Sequence, residues 1–209
     1  MNGTQSSPPA STRATLAEQL NRATEGHHVE VERTLADGAF AEGRRSYASF
    51  LRGMWAFLLP IERRLLGSPS YRATVPDATK RLRAERARTD LSELGEVTVT
   101  DELPVPDTAL PPMRSLTEML GVAYAIEGLA LRLRLLRWEA VHRMGLGPNQ
   151  TSFLSADGAA SKERWRRFLA HLEKAPVTDE ERPKLMRAAA SCLERLCLWL
   201  RARTPYSLP

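Results

Sequence analysis

Two adjacent histidines, His27 and His28, stand in the stretch ATEGHHVEVE (residues 23–32) of a chain that holds only four. An imidazole can ligate a metal through one ring nitrogen while the other donates to an acceptor that fixes the tautomer. Glu32 follows His28 by one helical turn, where its carboxylate can accept the Nδ1 proton, and Thr24 precedes it by one turn. His27 has Val31 at the equivalent place, which offers no acceptor. Apolar periodicity points the other way. At 100° per residue the stripe of Leu16, Leu20, Ala23, Val31 and Leu35 centres near His27 and leaves His28 at its edge. The plainer reading, one histidine in the core and one in water, therefore stands beside the ligand reading.

A second constellation lies in LGVAYAIEGLALRLRLLRWEAVHRMG (residues 120–145). Gly121, Ala125 and Gly128 share one helical face at i, i+4 and i+7, and each interior glycine costs roughly 1 kcal/mol relative to Ala. Such a strip lets another surface approach the backbone, either a second helix or a flat cofactor. One turn further along the strip stands Arg132.

The elements that carry these residues are helical. The spacing predicts helices over about Thr15–Ala36, Arg44–Leu66 with a kink at Pro60, and from an Asp77 N-cap to Gly95. Further helices run from the capping box Ser115–Glu118 to Gly145, through SKERWRRFLAHLEK, and over about Thr178–Ala202. The one β-like patch is GEVTVT, residues 95–100. We therefore expect one all-α domain, a bundle of about six main helices over 15–203. A Ser/Thr/Pro-rich leader (1–14), expected to be disordered, precedes it and a short tail (204–209) follows.

Composition narrows the classes. No apolar run approaches the ~18 residues of a membrane span. Cys192 and Cys197 lack metal-type spacing and read as buried thiols of a cytoplasmic protein. The net charge of +5 is carried mostly by scattered arginines. Its densest run, KRLRAERAR (80–88), reads as a solvated face or, failing that, a docking surface for an acidic partner. No recognition-helix signature or aromatic-interleaved basic groove points to nucleic acid.

The two constellations together resemble the heme oxygenase family, in particular its bacteriophytochrome-associated bacterial branch. That family's first helix carries Leu-x-x-Ala-Thr-x-x-x-His-x-x-x-Glu, matched here by Leu20, Ala23, Thr24, His28 and Glu32. Its distal helix carries Tyr-x-x-Glu-Gly-Ser-x-Leu-Gly-Gly, matched by Tyr124, Glu127, Gly128 and Leu131. The likeness continues in order through YASFLRGMWAFLLPIERRL, RARTDLSELG and GLGPNQTSFLSADGAASKERWRRFLAHLE.

The resemblance implies that His28 ligates the iron of heme, with Thr24, Glu32, Gly121 and Tyr124 around the cofactor. Gly128 and Arg132 fall on the catalytic face. Heme is then both substrate and cofactor. Its ring is opened to biliverdin with release of CO and iron, using O2 and an external electron donor such as a ferredoxin or reductase. A bacteriophytochrome is the implied recipient of the bilin. Two departures accompany the match. Leu129, Arg132 and Leu133 replace the family's serine and glycine pair, and Asn21 stands where a cation is frequent, leaving Arg164 or Arg167 to meet the propionates. The alternative reading is a heme-oxygenase-fold protein that binds heme, a bilin or a protein partner without turnover.

Overall fold

Thr15 opens the first helix with a reciprocal cap: its hydroxyl accepts from Glu18 N (3.2 Å) and its own amide donates to the Glu18 carboxylate (2.9 Å). The computed structural model describes residues 14–39, 41–96, 105–155 and 159–202. Within them the helices are α1 (Leu16–Gly38), α2 (Arg44–Gly67), α3 (Pro69–Thr74), α4 (Ala84–Glu93), α5 (Leu116–Met144), α6 (Ala159–Glu173) and α7 (Arg182–Arg201). Short 3-10 turns cover Ala78–Arg81, Asp107–Ala109 and Pro148–Gln150. The architecture is the expected all-α domain, with six long helices and the short α3. The leader up to residue 13, the tail and residues 97–100 of the β-like patch lie outside the described residues.

α2 is buried around most of its circumference, with Tyr47, Leu51, Met54, Phe57, Leu58 and Ile61 all inside the core. Pro60 removes one backbone donor, yet the helix continues through it to Gly67. Ser68 then caps α3 through Tyr71 N (3.2 Å), with Pro69 in the first turn, a start signal that the sequence reading passed over.

The helix expected from Asp77 to Gly95 is broken in two. Asp77 does not cap it; both carboxylate oxygens instead hold Arg81, at 2.8 and 2.7 Å. The chain turns extended at Leu82 and restarts as α4. Its first amides are satisfied from another helix: Glu62 of α2 accepts from Arg83 N (2.6 Å) and Ala84 N (3.1 Å). The basic run is therefore not one solvated face, because Arg81 and Arg83 are buried.

α5 begins at the expected Ser115–Glu118 capping box and ends on Gly145, whose left-handed φ of 62° closes the helix. α7 starts at Arg182 rather than Thr178. Glu181 folds back to accept from Thr178 N (3.1 Å) and Thr117 Oγ1 (3.1 Å), which holds the preceding turn outside the helix. α7 forms the most extensive helix contacts in the molecule, one with α1 and one with α5. It thus stands behind both helices that carry the candidate residues.

Candidate functional site

α1 and α5 meet in a seam. His28 is 3% exposed, whereas His27 is only half-buried. The buried line of α1 runs Leu16, Leu20, Thr24, His28, Val31, Leu35. Periodicity favoured His27 because Thr24 and His28, being polar, were left out of the stripe they belong to. Thr24 is tolerated inside because its hydroxyl donates back to Leu20 O at 2.8 Å. It is also hydrogen-bonded to the Tyr124 phenol of α5.

His28 has no such partner at Nδ1, which is buried without a hydrogen bond. Four other buried side-chain nitrogens share this state, Trp55 Nε1, Arg81 Nη1, Arg83 Nε and Arg182 Nε, so what sets His28 apart is an imidazole facing a glycine of the opposite helix. Burial, followed by the charge of Arg132, lowers the imidazole pKa to about 4 against the smaller opposing pull of Glu32. The ring is therefore neutral at physiological pH, the form that can ligate a metal. Its far edge faces α5 at Gly128: a Cβ there would sit 3.3 Å from both Cε1 and Nε2 of His28. It would also lie 3.9 Å from the ring of Trp165, which packs on Tyr124 with centroids 5.2 Å apart. Trp165 was not singled out from sequence; on an Arg-rich amphipathic helix its register resembles any core aromatic.

One turn further along both helices, Glu32 and Arg132 face each other. Arg132 Nη1 donates to Glu32 Oε1 at 2.7 Å, and the side chains are 30% and 41% exposed. This corrects the sequence expectation for Glu32: its carboxylate is held by Arg132, not by His28 Nδ1. Gly121 faces a different neighbour. A Cβ at that position would come within 2.3 Å of Leu185 O and 3.0 Å of Ala188 Cβ, so this glycine serves the α5–α7 contact. Leu129 and Leu133 are buried in the core. The Arg164 guanidinium donates to Lys80 O (3.4 Å), and Arg167 is exposed. His28, Thr24, Glu32, Tyr124, Gly128 and Arg132 are thus brought together; Gly121, Arg164 and Arg167 face elsewhere.

A second buried cluster lies beside Glu127. Arg81 Nη1 is 3.2 Å from the Glu127 carboxylate, while Arg81 also holds Asp77 and stacks over Phe168 at 5.3 Å. Burial raises the Glu127 carboxyl pKa against the opposing pull of Arg81. The signal was available: an acid inside an apolar helix demands a buried cation, and the arginine run offered one.

A heme requires an imidazole donor and room for a macrocycle. The donor fits in being a neutral, buried imidazole, although no acceptor meets its Nδ1 to fix the tautomer. No group of three or more His, Cys, Asp or Glu that could hold a metal ion gathers among the described residues, at His28 or elsewhere. The interval does not admit a macrocycle in this conformation, because His28 lies directly on Gly128. The Arg132–Glu32 pair closes the next turn.

No family model matches the chain, and no curated protein matches it. Solved structures do. The NO- and CO-bound heme oxygenase from Neisseria meningitidis superposes with a TM-score of 0.77 at 19% identity, over 93% of this chain and 98% of that one. Heme oxygenase 2 from Chlamydomonas reinhardtii, solved without heme, gives a TM-score of 0.77 at 15% identity, over 93% and 100%. The chain has the heme oxygenase fold. No described helix is long and apolar enough to cross a membrane.

Proposed function

We propose that the protein binds heme beside His28, whose imidazole would hold the iron once α1 and α5 part from the contact they make here, and that its activity is heme oxygenation to biliverdin. The observation that carries this is the buried, unpartnered, neutral imidazole facing a glycine of the opposite helix, in a chain with this fold. When bound, heme supplies both the iron that activates O2 and the ring that is opened, with electrons from an external donor. The chain's own part is to hold and orient. Thr24 and Tyr124 tie α1 to α5 one turn before the ligand, and Trp165 offers an aromatic wall. Gly128 lets the α5 backbone approach without a side chain, and Arg132 stands at the solvent edge. In this reading the protein works in the cytoplasm, where Cys192 and Cys197 remain free thiols. Its bilin product suits a bacteriophytochrome.

One observation favours a second reading, binding of heme or a bilin without turnover. Arg132 occupies the place that glycine holds in the family, and its pairing with Glu32 narrows the seam where O2 must be accommodated.

The test is a hemin titration of wild-type, His27→Ala and His28→Ala protein. Wild-type and His27→Ala are expected to give a sharp Soret band that His28→Ala loses. Ascorbate or a ferredoxin system then replaces that band with the broad red absorption of biliverdin. A Soret band unchanged in His28→Ala overturns the ligand assignment; a normal band that yields no bilin selects the second reading.

A further inference from the structure

α7 packs against α1 and α5, and toward α2 its Trp199 Nε1 donates to Gly53 O at 2.9 Å. Its remaining side is open. There it lines a groove of about 480 Å³ against the turn Asp107–Ala109. Ser191, Glu194, Arg195, Leu198 and Ala202 stand on that face of the helix. Leu198 is 59% exposed at the rim. A single exposed leucine is ordinary, but one beside a groove of this size supplies a knob and a hole on the same surface.

The charges on this face are ordered. Arg195 Nε donates to Ser191 Oγ (3.2 Å) and Nη1 donates to Thr108 O, which fixes the guanidinium across the groove. Both acceptors are neutral, so neither balances its charge. Glu194 is exposed on the same face. With Arg187 one turn before Ser191, the face runs 187, 191, 194, 195, 198, 202, in steps of 4, 3, 1, 3 and 4. Those steps read alike in both directions. Any helical ridge can show such steps; the residue types are particular to this one. Laid antiparallel on a copy of itself, Glu194 meets the partner's Arg195 and Arg195 meets the partner's Glu194, so opposite charges pair twice. Leu198 meets the partner's Ser191, large over small, also twice. Sliding the copies until Leu198 meets itself sets Arg195 against the partner's Arg201, like charge on like.

We propose that this open face of α7 is where two copies of the chain associate, as an antiparallel α7–α7 pair about a two-fold axis at Glu194 and Arg195. The contact is isologous: the same patch serves both sides, and the symmetry closes at two. Each Leu198 leaves water for the partner's groove. A second copy answers the face better than a small ligand, because both signs of charge stand side by side and a reversed copy meets each with its opposite. The patch spans about four helical turns, less than a standard interface, so association is expected at micromolar rather than nanomolar concentration. The proposal is independent of the heme reading.

The test is sedimentation velocity of the full chain from about 5 to 500 μM, the range a small interface calls for. Wild type is expected to pass from monomer to dimer across it. Leu198→Asp, a change at an exposed side chain, should raise the dissociation constant at least about tenfold, the scale of losing one central apolar contact. Glu194→Arg and Arg195→Glu each set like charges opposite one another and should stay monomeric where wild type is dimeric. Mixed in equal amounts they should form a heterodimer, because each reversal then faces its complement. Leu198→Asp decides the matter should Arg195→Glu, which gives up its bonds to Ser191 and Thr108, fail to fold by circular dichroism. Wild type that remains a monomer at the highest concentration overturns the proposal. So does a dimer that Leu198→Asp leaves intact, or folded reversals whose mixture associates no better than either alone. Native mass spectrometry showing a small molecule carried by the monomer and lost in Leu198→Asp gives the groove to that molecule and overturns the proposal too.

Discussion

Replacing Gly121 by alanine isolates the contact that backs the site. In an unobstructed helix interior the change stabilises by up to about 1 kcal/mol, because Ala loses less backbone freedom on folding. At Gly121 the new methyl would meet Leu185 O at 2.3 Å, with Ala189 N at 3.1 Å and Ala188 Cβ at 3.0 Å, where ordinary contact begins at 3.4 Å. The deficit is about 1 Å against a backbone carbonyl, which cannot rotate away as a side chain would. α5 and α7 must part, and overpacking of this kind costs about 1–3 kcal/mol, more when backbone is displaced. Against the propensity gain, the net expectation is a loss of about 2 kcal/mol, or roughly 4–8 °C in Tm for a domain of this length. Gly26→Ala is the internal reference. It lies in α1 with nothing within 4 Å of its Cβ, so the same substitution there should raise stability by about 0.5–1 kcal/mol. Urea unfolding followed by circular dichroism measures both, with unchanged m-values as the check that only stability has moved. If Gly121→Ala matches or exceeds wild type, the α5–α7 contact is not as close as described and the reasoning fails.

Glu62, whose pKa burial pushes up to about 7, binds a proton in the folded state over a pH range where an unfolded glutamate has lost it. Stability from this group should therefore fall as pH rises from about 4.5 through 7, by on the order of 3 kcal/mol, and Glu62→Gln should flatten that slope in pH-dependent unfolding. His28 acts in the opposite sense. With its folded pKa lowered to about 4, the unfolded chain binds the extra proton, so stability is lost as pH falls from 6.5 toward 4 and His28→Phe should remove that acid sensitivity. Glu127→Leu leaves Arg81 buried with Asp77 as its remaining carboxylate and should destabilise by about 2–4 kcal/mol; restored stability in Arg81→Met/Glu127→Leu would show the coupling by a double-mutant cycle.

What could be seen from sequence followed local rules, and what could not depended on distant partners. The Ser115–Glu118 capping box was read from sequence because it satisfies its own end; the Thr15–Glu18 box was not singled out, although Thr15 was placed at the start of its helix. Asp77 looked like a cap but lies four residues before Arg81, and a bidentate pair with a buried guanidinium outcompetes a single amide. The amides that open α4, Arg83 N and Ala84 N, are met by Glu62, twenty-one residues before Arg83 on another helix, which no local pattern can anticipate. His28 emerged through its spacing to Thr24 and Glu32, against hydrophobic periodicity. Arg132 was visible as a departure from the family pattern, but its partner was not, since Glu32 lies 100 residues away. Gly121 and Gly128 were indistinguishable in a strip; only the neighbour each one faces separates a packing glycine from one at the seam.

α7 lies against both walls that would have to part around a ligand, and it is joined to α5 where Gly121 brings backbone onto backbone. A spine that binds two covers in this way sets how far they can swing. Small residues along it, such as the buried Ala188 and Ala189 that lie against Gly121, set how closely α5 can approach α7. A substitution on α7 would accordingly be felt in the spacing of α1 and α5 without lying on either of them.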